Sequence, residues 1–408
     1  MRLSVLTLNC WGIPYPYFGS KDRALRFDKI AGKVAESNYD FVSFQEVWDE
    51  ADFERLKGQL GDVLPYAHYF HSGVIGSGVC VFSRHKIVGT LLHRFSLNGY
   101  AHHIHRGDWF GGKVVGLAKV RLEMDDGRPL LVHFYATHIH AEYDRDNDLY
   151  LPHRTLQAFE LADFVRHTSE GADLSLVVGD LNLEPGDLGQ ELVLVNAGLN
   201  DAWTNRPGAK DSANDEGMTS DKPNNCYTPE RQKLRCPKGK RIDYIMYNHN
   251  PAVKLTVDSC EVTMEKIASD SPINFSDHAA VTATFKLHSV GDARSNGHGG
   301  GNAEERRSML RPLLERSIEI FNDGLQVVKT TQRHYILAIA FLLLILFITI
   351  DVELMIPRLA ILAMMGRFAT TVVLAYCTWH GIIGLRIERK ALMSAKNAMV
   401  IYLSDSNN

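Results

Sequence analysis

Two apolar runs near the C-terminal end constrain this chain more than any other feature. Tyr335 to Ile350 is 16 uncharged, almost wholly apolar residues that include FLLLILFITI, a stretch with no polar face to give water. After a break holding Asp351, Glu353, Pro357, Arg358 and Arg367, Phe368 to Leu385 supplies 18 more. We read residues 334–386 as two transmembrane helices. At about 1.5 Å per residue the two cores span about 24 and 27 Å, short of the roughly 30 Å hydrocarbon core. Flanking residues must extend them, or the host bilayer is thin. A helical hairpin buried in a soluble domain, or embedded without crossing, is the alternative.

The segments around this pair support the membrane reading. Residues 304–333 place Leu310, Leu313, Leu314, Phe321, Leu325 and Val328 at helical spacing among Arg306, Arg307, Arg311, Arg316 and Lys329, the pattern of an amphipathic juxtamembrane helix. Residues 289–303, SVGDARSNGHGGGNA, have linker composition, and residues 387–408 form a C-terminal tail. Lys329, Arg333, Arg386, Arg389, Lys390 and Lys396 flank the outside of the pair, whereas only Arg358 and Arg367 lie between the spans. The positive-inside rule therefore expects the body and the tail in the cytosol. Short spans suit the thin endoplasmic reticulum or another endomembrane.

Residues 1–288 form the soluble body. They contain β-rich runs at Leu3–Leu8, Phe41–Phe44, Val79–Phe82, Val114–Leu122, Leu130–Ala136, Leu174–Val178, Ile242–Tyr247 and Ala279–Phe285. Helical patterns fall between some of them, with Leu25, Ile30 and Val34 on one side of Asp22–Ser37 and Leu156, Phe159 and Phe164 near one face of Pro152–His167. This alternation predicts an α/β fold of mixed sheets covered by helices. Residues 1–290 carry 31 basic and 38 acidic residues, whereas 291–408 carry 13 and 10. An acidic body argues against a protein that grips nucleic acid through its phosphates. Six cysteines without a CxxC pair suggest free thiols in a reducing compartment rather than a zinc site or a disulfide framework.

Polar clusters follow the strand-like runs. Asn9 closes the first in LNCWG, Glu46 the second in FVSFQEV, and His138 and His140 another in FYATHIHAEY. Asp180 and Asn182 end LSLVVGDLN, Asp243 lies in RIDYIMY, and Asp277 and His278 precede AAVTATF. One charged residue after a strand is common. Six strand ends carrying this set of side chains are not, and rigid sheets commonly present reactive groups on such loops.

In this order LNCWG, SFQEV, ATHIHAEY, VVGDLN, RIDYIMY and FSDHAAV resemble the blocks of the Mg²⁺-dependent phosphodiesterase superfamily that includes pancreatic deoxyribonuclease, apurinic endonucleases and inositol polyphosphate 5-phosphatases. LNCWGIPY, RGDWFGGKVVG, NCYTP and the paired apolar segments are similar to the membrane-bound neutral sphingomyelinases. The resemblance covers essentially the whole chain. It implies a four-layer α/β/β/α sandwich of the DNase I type over residues 1–288, followed by the transmembrane hairpin. It also implies hydrolysis of sphingomyelin to ceramide and phosphocholine with Mg²⁺ as cofactor. Lysophosphocholine lipids such as lyso-platelet-activating factor present the same headgroup and are the alternative substrate. A nuclease or an inositol phosphatase on the same fold is the other class, disfavoured by the acidic body and by membrane segments that suit a substrate in the bilayer. Anionic lipids are candidate activators, and the oligomeric state stays open.

Phosphodiester hydrolysis needs a cation, a base and a group that stabilises the leaving oxygen. Glu46 suits hard Mg²⁺, and Asn9 can orient its waters or a phosphate oxygen. The resemblance places His278 as general base with Asp243 orienting its ring, and Asp277 near the metal. Asp180 and Asn182, two apart in an extended segment, would share one side, the first fixing the water and the second a phosphate oxygen. His138 would stabilise the pentavalent centre or the leaving oxygen, and His140, two positions on, either supports it or stands apart. In neutral sphingomyelinases of this kind an Asp and a Lys five apart flank a glycine segment. The resemblance implies that Lys113 reaches the substrate phosphate while Asp108 holds it elsewhere, a switch made plausible by Gly111 and Gly112. A solvated loop charge is the plainer reading of Lys113. His102, His103 and His105 suggest a surface loop, and residues 207–239 a long functional or disordered loop in which Cys226 and Cys236 stay free. Trp11, Tyr15, Tyr17 and Phe18 suit either packing, a bilayer surface or a choline headgroup.

Overall fold

The computed structural model describes residues 1–14, 19–209, 215–289 and 300–405. Tyr15, Tyr17 and Phe18, residues 290–299 of the expected linker, and Asn408 lie outside the described residues. The chain divides into two compact units, Met1–Leu313 and Leu314–Asn408.

In chain order the first unit contains β1 (Arg2–Asn9), α1 (Arg23–Ala35), β2 (Phe41–Gln45), α2 (Glu50–Leu60), β3 (Tyr66–Tyr69), β4 (Cys80–Ser83), β5 (Ile87–Arg94), α3 (Asp108–Gly111), β6 (Val114–Glu123), β7 (Pro129–His138), α4 (Leu151–Thr168), β8 (Leu174–Asp180), α5 (Leu188–Ala197), β9 (Asn200–Asp201), α6 (Glu230–Arg235), β10 (Asp243–His249), β11 (Val253–Thr263) and β12 (Ala280–Ser289). One six-stranded sheet runs β11-β12-β1-β2-β4-β3 and the other β5-β6-β7-β8-β10-β9.

Period-2 alternation explains the layers. In β1, Leu3 and Val5 join Phe41, Val81, Phe134, Val178, Ile245 and Phe285 between the sheets. Leu6 and Leu8 turn the other way, onto Phe27, Ile30 and Val34 of α1 and Phe53 and Leu56 of α2. Leu117, Tyr135, Val177 and Met246 meet Ala158, Leu161 and Val165 of α4 and Val193 of α5. This is the expected four-layer α/β/β/α sandwich.

Several expectations change in detail. Leu25 is 43% exposed, and the buried stripe of α1 is instead Phe27, Ile30, Ala31 and Val34 with the polar Arg26 beside it. Strand β5 escaped the sequence reading because it is an edge strand with most of its residues exposed, so its apolar residues do not alternate. Strand β11, also at an edge, is broken in register between Val257 and Ser259 by a bulge.

Helix α7 (Gly300–Ile348) carries the amphipathic segment into the first apolar run without a break. In the second unit follow α8 (Val352–Met355), a 3₁₀ turn (Pro357–Leu359), α9 (Ala360–Thr378), a π-helical stretch (Trp379–Gly384) and α10 (Leu385–Asp405). Two helices, Glu304–Ile348 and Pro357–Ser404, contain windows long and apolar enough to cross a membrane. Arg367, which the sequence placed in the loop between the spans, lies inside α9. Its guanidinium donates to the carbonyls of Thr349 and Ile350 at 3.2 and 2.9 Å, capping the open end of the preceding helix.

Candidate active site

Strand register brings the polar strand ends together. In one sheet β1 and β2 run parallel with Asn9 opposite Gln45, so Asn9 and Glu46 emerge side by side. In the other, β7 and β8 run parallel with His138 opposite Asp180, and antiparallel β10 sets Asp243 opposite the same Asp180. Strand β12 pairs antiparallel with β1, so the residues just before it, Asp277 and His278, arrive at the same end. Residues scattered from position 9 to position 278 thus meet at one edge of the packed sheets.

The close approach there depends on two local features. A Cβ on Gly179 would lie 2.0 Å from the carbonyl oxygen of Thr137, at a φ of +141°, so only glycine lets β8 pass and deliver Asp180. Glu46 and Asn182 both adopt positive φ, +58° and +48°. Non-glycine residues rarely do so, and such strain collects at functional sites.

Asn9 is the bridge. Its amide nitrogen donates to Glu46 Oε1 at 2.9 Å and to Asp180 Oδ2 at 3.0 Å, while its Oδ1 accepts from the Trp11 N–H at 3.0 Å. The amide oxygen is therefore turned onto the backbone, and the amide nitrogen is the group that faces the carboxylates. The expected extended geometry from Asp180 to Asn182 is also absent. The strand ends at Asp180, and Asn182 turns back through its left-handed backbone, its N–H donating to Asp180 Oδ1 at 2.9 Å and its side-chain amide to the Ile139 carbonyl at 2.9 Å. Both residues stay at the site by a turn rather than by strand alternation.

His278 Nδ1 lies 2.8 Å from Asp243 Oδ2, which leaves Nε2 as its nitrogen without a hydrogen-bond partner among the described residues. Burial alone would lower the imidazole pKa, but the Asp243 carboxylate, with Asp180 and Asp277 behind it, raises it well above the usual histidine range. The Asp180 carboxyl is pushed up to about 7, first by burial and then by Asp243. Asp277 rises to about 6, again by burial first, with Glu46 adding to it.

Lys113 is not a solvated loop charge. It is 2% exposed, with Nζ 2.8 Å from His138 Nε2, 2.9 Å from the Ile139 carbonyl and 3.2 Å from Asp108 Oδ1. Burial holds His138 well below its ordinary pKa, and Lys113 adds to that, so the imidazole is neutral and Nε2 accepts from the ammonium. Its buried Nδ1 has no partner among the described residues, which leaves a donor for a ligand. His140 is pushed down to about 4 by burial and stacks on Tyr150 at 4.2 Å. Its Nε2 lies 3.5 Å from Asp108, so it supports the Asp108 side of the site. Burial would raise the Asp108 carboxyl, yet His140 and Lys113 hold it below the usual carboxylate range.

Sequence reasoning missed several supporting groups. Tyr143 donates to Asp108 Oδ2 at 2.5 Å, Trp48 packs 6.3 Å from the His138 ring, and Thr219 Oγ1 accepts the Asp243 N–H at 3.3 Å. Tyr143 lay inside a motif already singled out, ATHIHAEY, and Trp48 directly follows another, SFQEV. Arg154, 4% exposed, donates to the Asn182 carbonyl and to Glu142, an isolated signal that periodicity could not distinguish from a helix surface. Trp11 packs tilted against Tyr227, centroids 5.0 Å apart, and both rings already face the guanidinium of Arg26, at 5.0 and 5.6 Å, which favours packing over headgroup binding for Trp11. His103 bonds Tyr150, while His102 and His105 are exposed, as a surface loop requires. All six cysteines are free.

The donor set fits a divalent cation. Asp180, Asp243 and His278 bring ligand-type atoms within 4.8 Å of one another, but His278 and Asp243 are already paired, which leaves a cation to the other carboxylates. Asp243 Oδ1 is buried and unpaired among the described residues, and Glu46 and Asp277 add carboxylate oxygens of the kind a hard cation selects. Two of these carboxyls, Asp180 and Asp277, are raised in pKa first by burial, a cost that a bound cation would relieve.

Carboxylates, a histidine–aspartate pair and a buried lysine at one end of an α/β/β/α sandwich define a phosphoric diester hydrolase, and this chain belongs to the endonuclease/exonuclease/phosphatase family, whose model matches residues 6–278. Within that family it is 45% identical, over 99% of its own length and 92% of the other's, to a Caenorhabditis elegans protein named as a candidate neutral sphingomyelinase. It is 40% identical to sphingomyelin phosphodiesterase 2 of Homo sapiens, over 85% of this chain and 79% of that one. Among solved structures, the beta toxin of Staphylococcus aureus with bound magnesium ions superposes with a TM-score of 0.52 at 21% identity, covering 69% of this chain and 99% of the toxin, a likeness of fold.

Proposed function

We propose that the protein hydrolyses sphingomyelin to ceramide and phosphocholine by attack of water on phosphorus, with Mg²⁺ as cofactor. The observation that carries the mechanism is the His278–Asp243 pair, opening through its free Nε2 beside the carboxylates, in a chain whose relatives are named sphingomyelinases. His278 Nε2 takes the proton from the attacking water, and Asp243 holds the ring in the matching tautomer and supports the charge that forms. Asp180, fixed by Asn9, orients the water, and Asn182 holds a phosphate oxygen. Lys113 and the free Nδ1 of His138 stabilise charge on the pentavalent phosphorus and the leaving alkoxide. Glu46, with Asp277 nearby, would hold the magnesium, which supplies Lewis-acid stabilisation of the phosphoryl oxygens. Asp108 competes with phosphate for Lys113, so the Asp108–Lys113 pair acts as a switch.

Residues 1–288 act as the catalytic domain, 289–303 as linker, 304–333 as juxtamembrane helix, 334–386 as a two-span membrane anchor and 387–408 as tail. Catalytic domain and tail lie in the cytosol at the endoplasmic reticulum or another endomembrane, and anionic lipids are the candidate activators.

Hydrolysis in ¹⁸O-water tests the reaction. Label in phosphocholine identifies attack on phosphorus. Label in the ceramide hydroxyl, or release of free choline, would exclude this mechanism.

A further inference from the structure

The rim of the site carries apolar side chains that nothing in the body covers. Val74 is 73% exposed and Ile75 44%, both on the turn between β3 and β4, and Ile104, just before α3, is 70% exposed. Isolated apolar residues are ordinary on a protein surface. What sets these apart is the attachment of their loop. The N–H groups of Val74 and Ile75 both donate to the carbonyl of Phe110, at 2.7 and 3.2 Å. Phe110 belongs to α3, the single turn that begins at Asp108 and leads directly to Lys113. The packing is backbone on backbone: a Cβ at Gly73 would lie 2.3 Å from the Gly111 carbonyl oxygen, and one at Gly112 would lie 2.7 Å from Gly73 Cα. Loop and turn therefore move together, and force on Val74 and Ile75 reaches the residues that hold the Asp108–Lys113 ion pair.

We infer that residues 73–76 are an interfacial docking loop. Val74 and Ile75 enter the acyl-chain edge of the bilayer that presents the substrate, and their seating shifts the α3 turn so that Lys113 passes from Asp108 to the substrate phosphate. The inference rests on the lipid substrate proposed above. A bilayer is the occupant because the tip offers two protruding aliphatic side chains rather than a groove. The exposed His102 and His105 of the adjoining loop also offer ring N–H donors to lipid phosphates. Docking of this kind explains how a membrane-tethered enzyme stays idle until its active-site end meets the bilayer.

Two measurements on the full chain in phosphatidylcholine–sphingomyelin vesicles test this. In the first, Val74→Cys, on a background with Cys226→Ser and Cys236→Ser, carries an environment-sensitive fluorophore. We expect quenching by a nitroxide placed high in the lipid acyl chains and shielding from aqueous iodide. Iodide quenching without nitroxide quenching would overturn the inference, as would shielding from both, which would mean a protein partner. In the second, Val74→Asp with Ile75→Asp should lower turnover of vesicle sphingomyelin by about ten-fold or more, the scale for losing two buried aliphatic side chains. Hydrolysis of a short-chain sphingomyelin dispersed as monomers should be unchanged. Equal turnover on both substrates, or equal loss on both, would overturn the docking role. The fluorophore reads membrane contact without any hydrolysis, so a failure of the sphingomyelinase reading and a failure of docking give different results.

Discussion

His278 and Asp243 sit 2.8 Å apart, nitrogen to carboxylate oxygen, although 35 residues separate them in sequence and they enter the site from different sheets. The pair sets the pH response. A general base works only when neutral, and the nearby carboxylate holds His278 protonated to a higher pH than burial alone would allow. The acid limb of the rate profile should therefore lie high. Asp243→Asn removes the charge that raises the pKa, so the acid limb of kcat/KM should move to lower pH while the plateau falls. His278→Ala should lower kcat by about 10²-fold or more across the range. An acid limb unmoved in Asp243→Asn, or unchanged turnover in His278→Ala, would remove His278 from the role of base.

Asn9 joins Glu46 to Asp180 through one amide nitrogen. Asn9→Ala should leave both carboxylates less well placed, raising the Mg²⁺ concentration for half-maximal rate and lowering kcat by about ten-fold to a hundred-fold. Magnesium titration of the variant checks it. A normal magnesium dependence would confine Asn9 to packing.

Lys113 lies between Asp108 and His138 with almost no exposure. Lys113→Ala should cost about 10²-fold or more in kcat, the scale of a lost transition-state donor. A small rise in KM with kcat intact would instead mean ground-state binding only.

Much of this site was legible in the sequence because strand ends are discrete: a β run that stops on Asn9 or Asp180, or starts on Asp243, announces a side chain at a sheet edge. The geometry between strands was not. Asp180 and Asn182 meet through a turn at positive φ, which no alternation rule describes. The burial of Lys113 follows from tertiary packing beyond the GGK motif. Arg367 looked like a loop charge until the helix containing it proved to begin seven residues earlier, at Ala360. The edge strands β3, β5 and β11 gave weak signals because they are partly exposed and carry half-satisfied patterns.

Gly179 shows how the backbone serves the site. Gly179→Ala would force a Cβ against the Thr137 carbonyl at 2.0 Å in a conformation that L side chains avoid. We expect a loss of about 2 kcal/mol or more in stability, read as a Tm lower by about 4 °C or more. An unchanged melting curve would show that β8 can shift away from β7 at little cost.

Topology is open to a direct test. With six cationic residues outside the pair of spans against Arg358 between them and Arg367 in the first turns of α9, protease added to sealed microsomes should digest both the catalytic body and a tag placed after Asn408. Protection of the body would reverse the orientation. Cleavage at the tag alone would require an odd number of crossings.

The most direct test of the central claim is one assay of the purified full chain against sphingomyelin, lysophosphocholine lipids and a nicked plasmid, with magnesium and with EDTA. The account requires phosphocholine release from sphingomyelin in magnesium, none in EDTA, and an intact plasmid. Full activity in EDTA, or cleavage of the plasmid with sphingomyelin untouched, would contradict it.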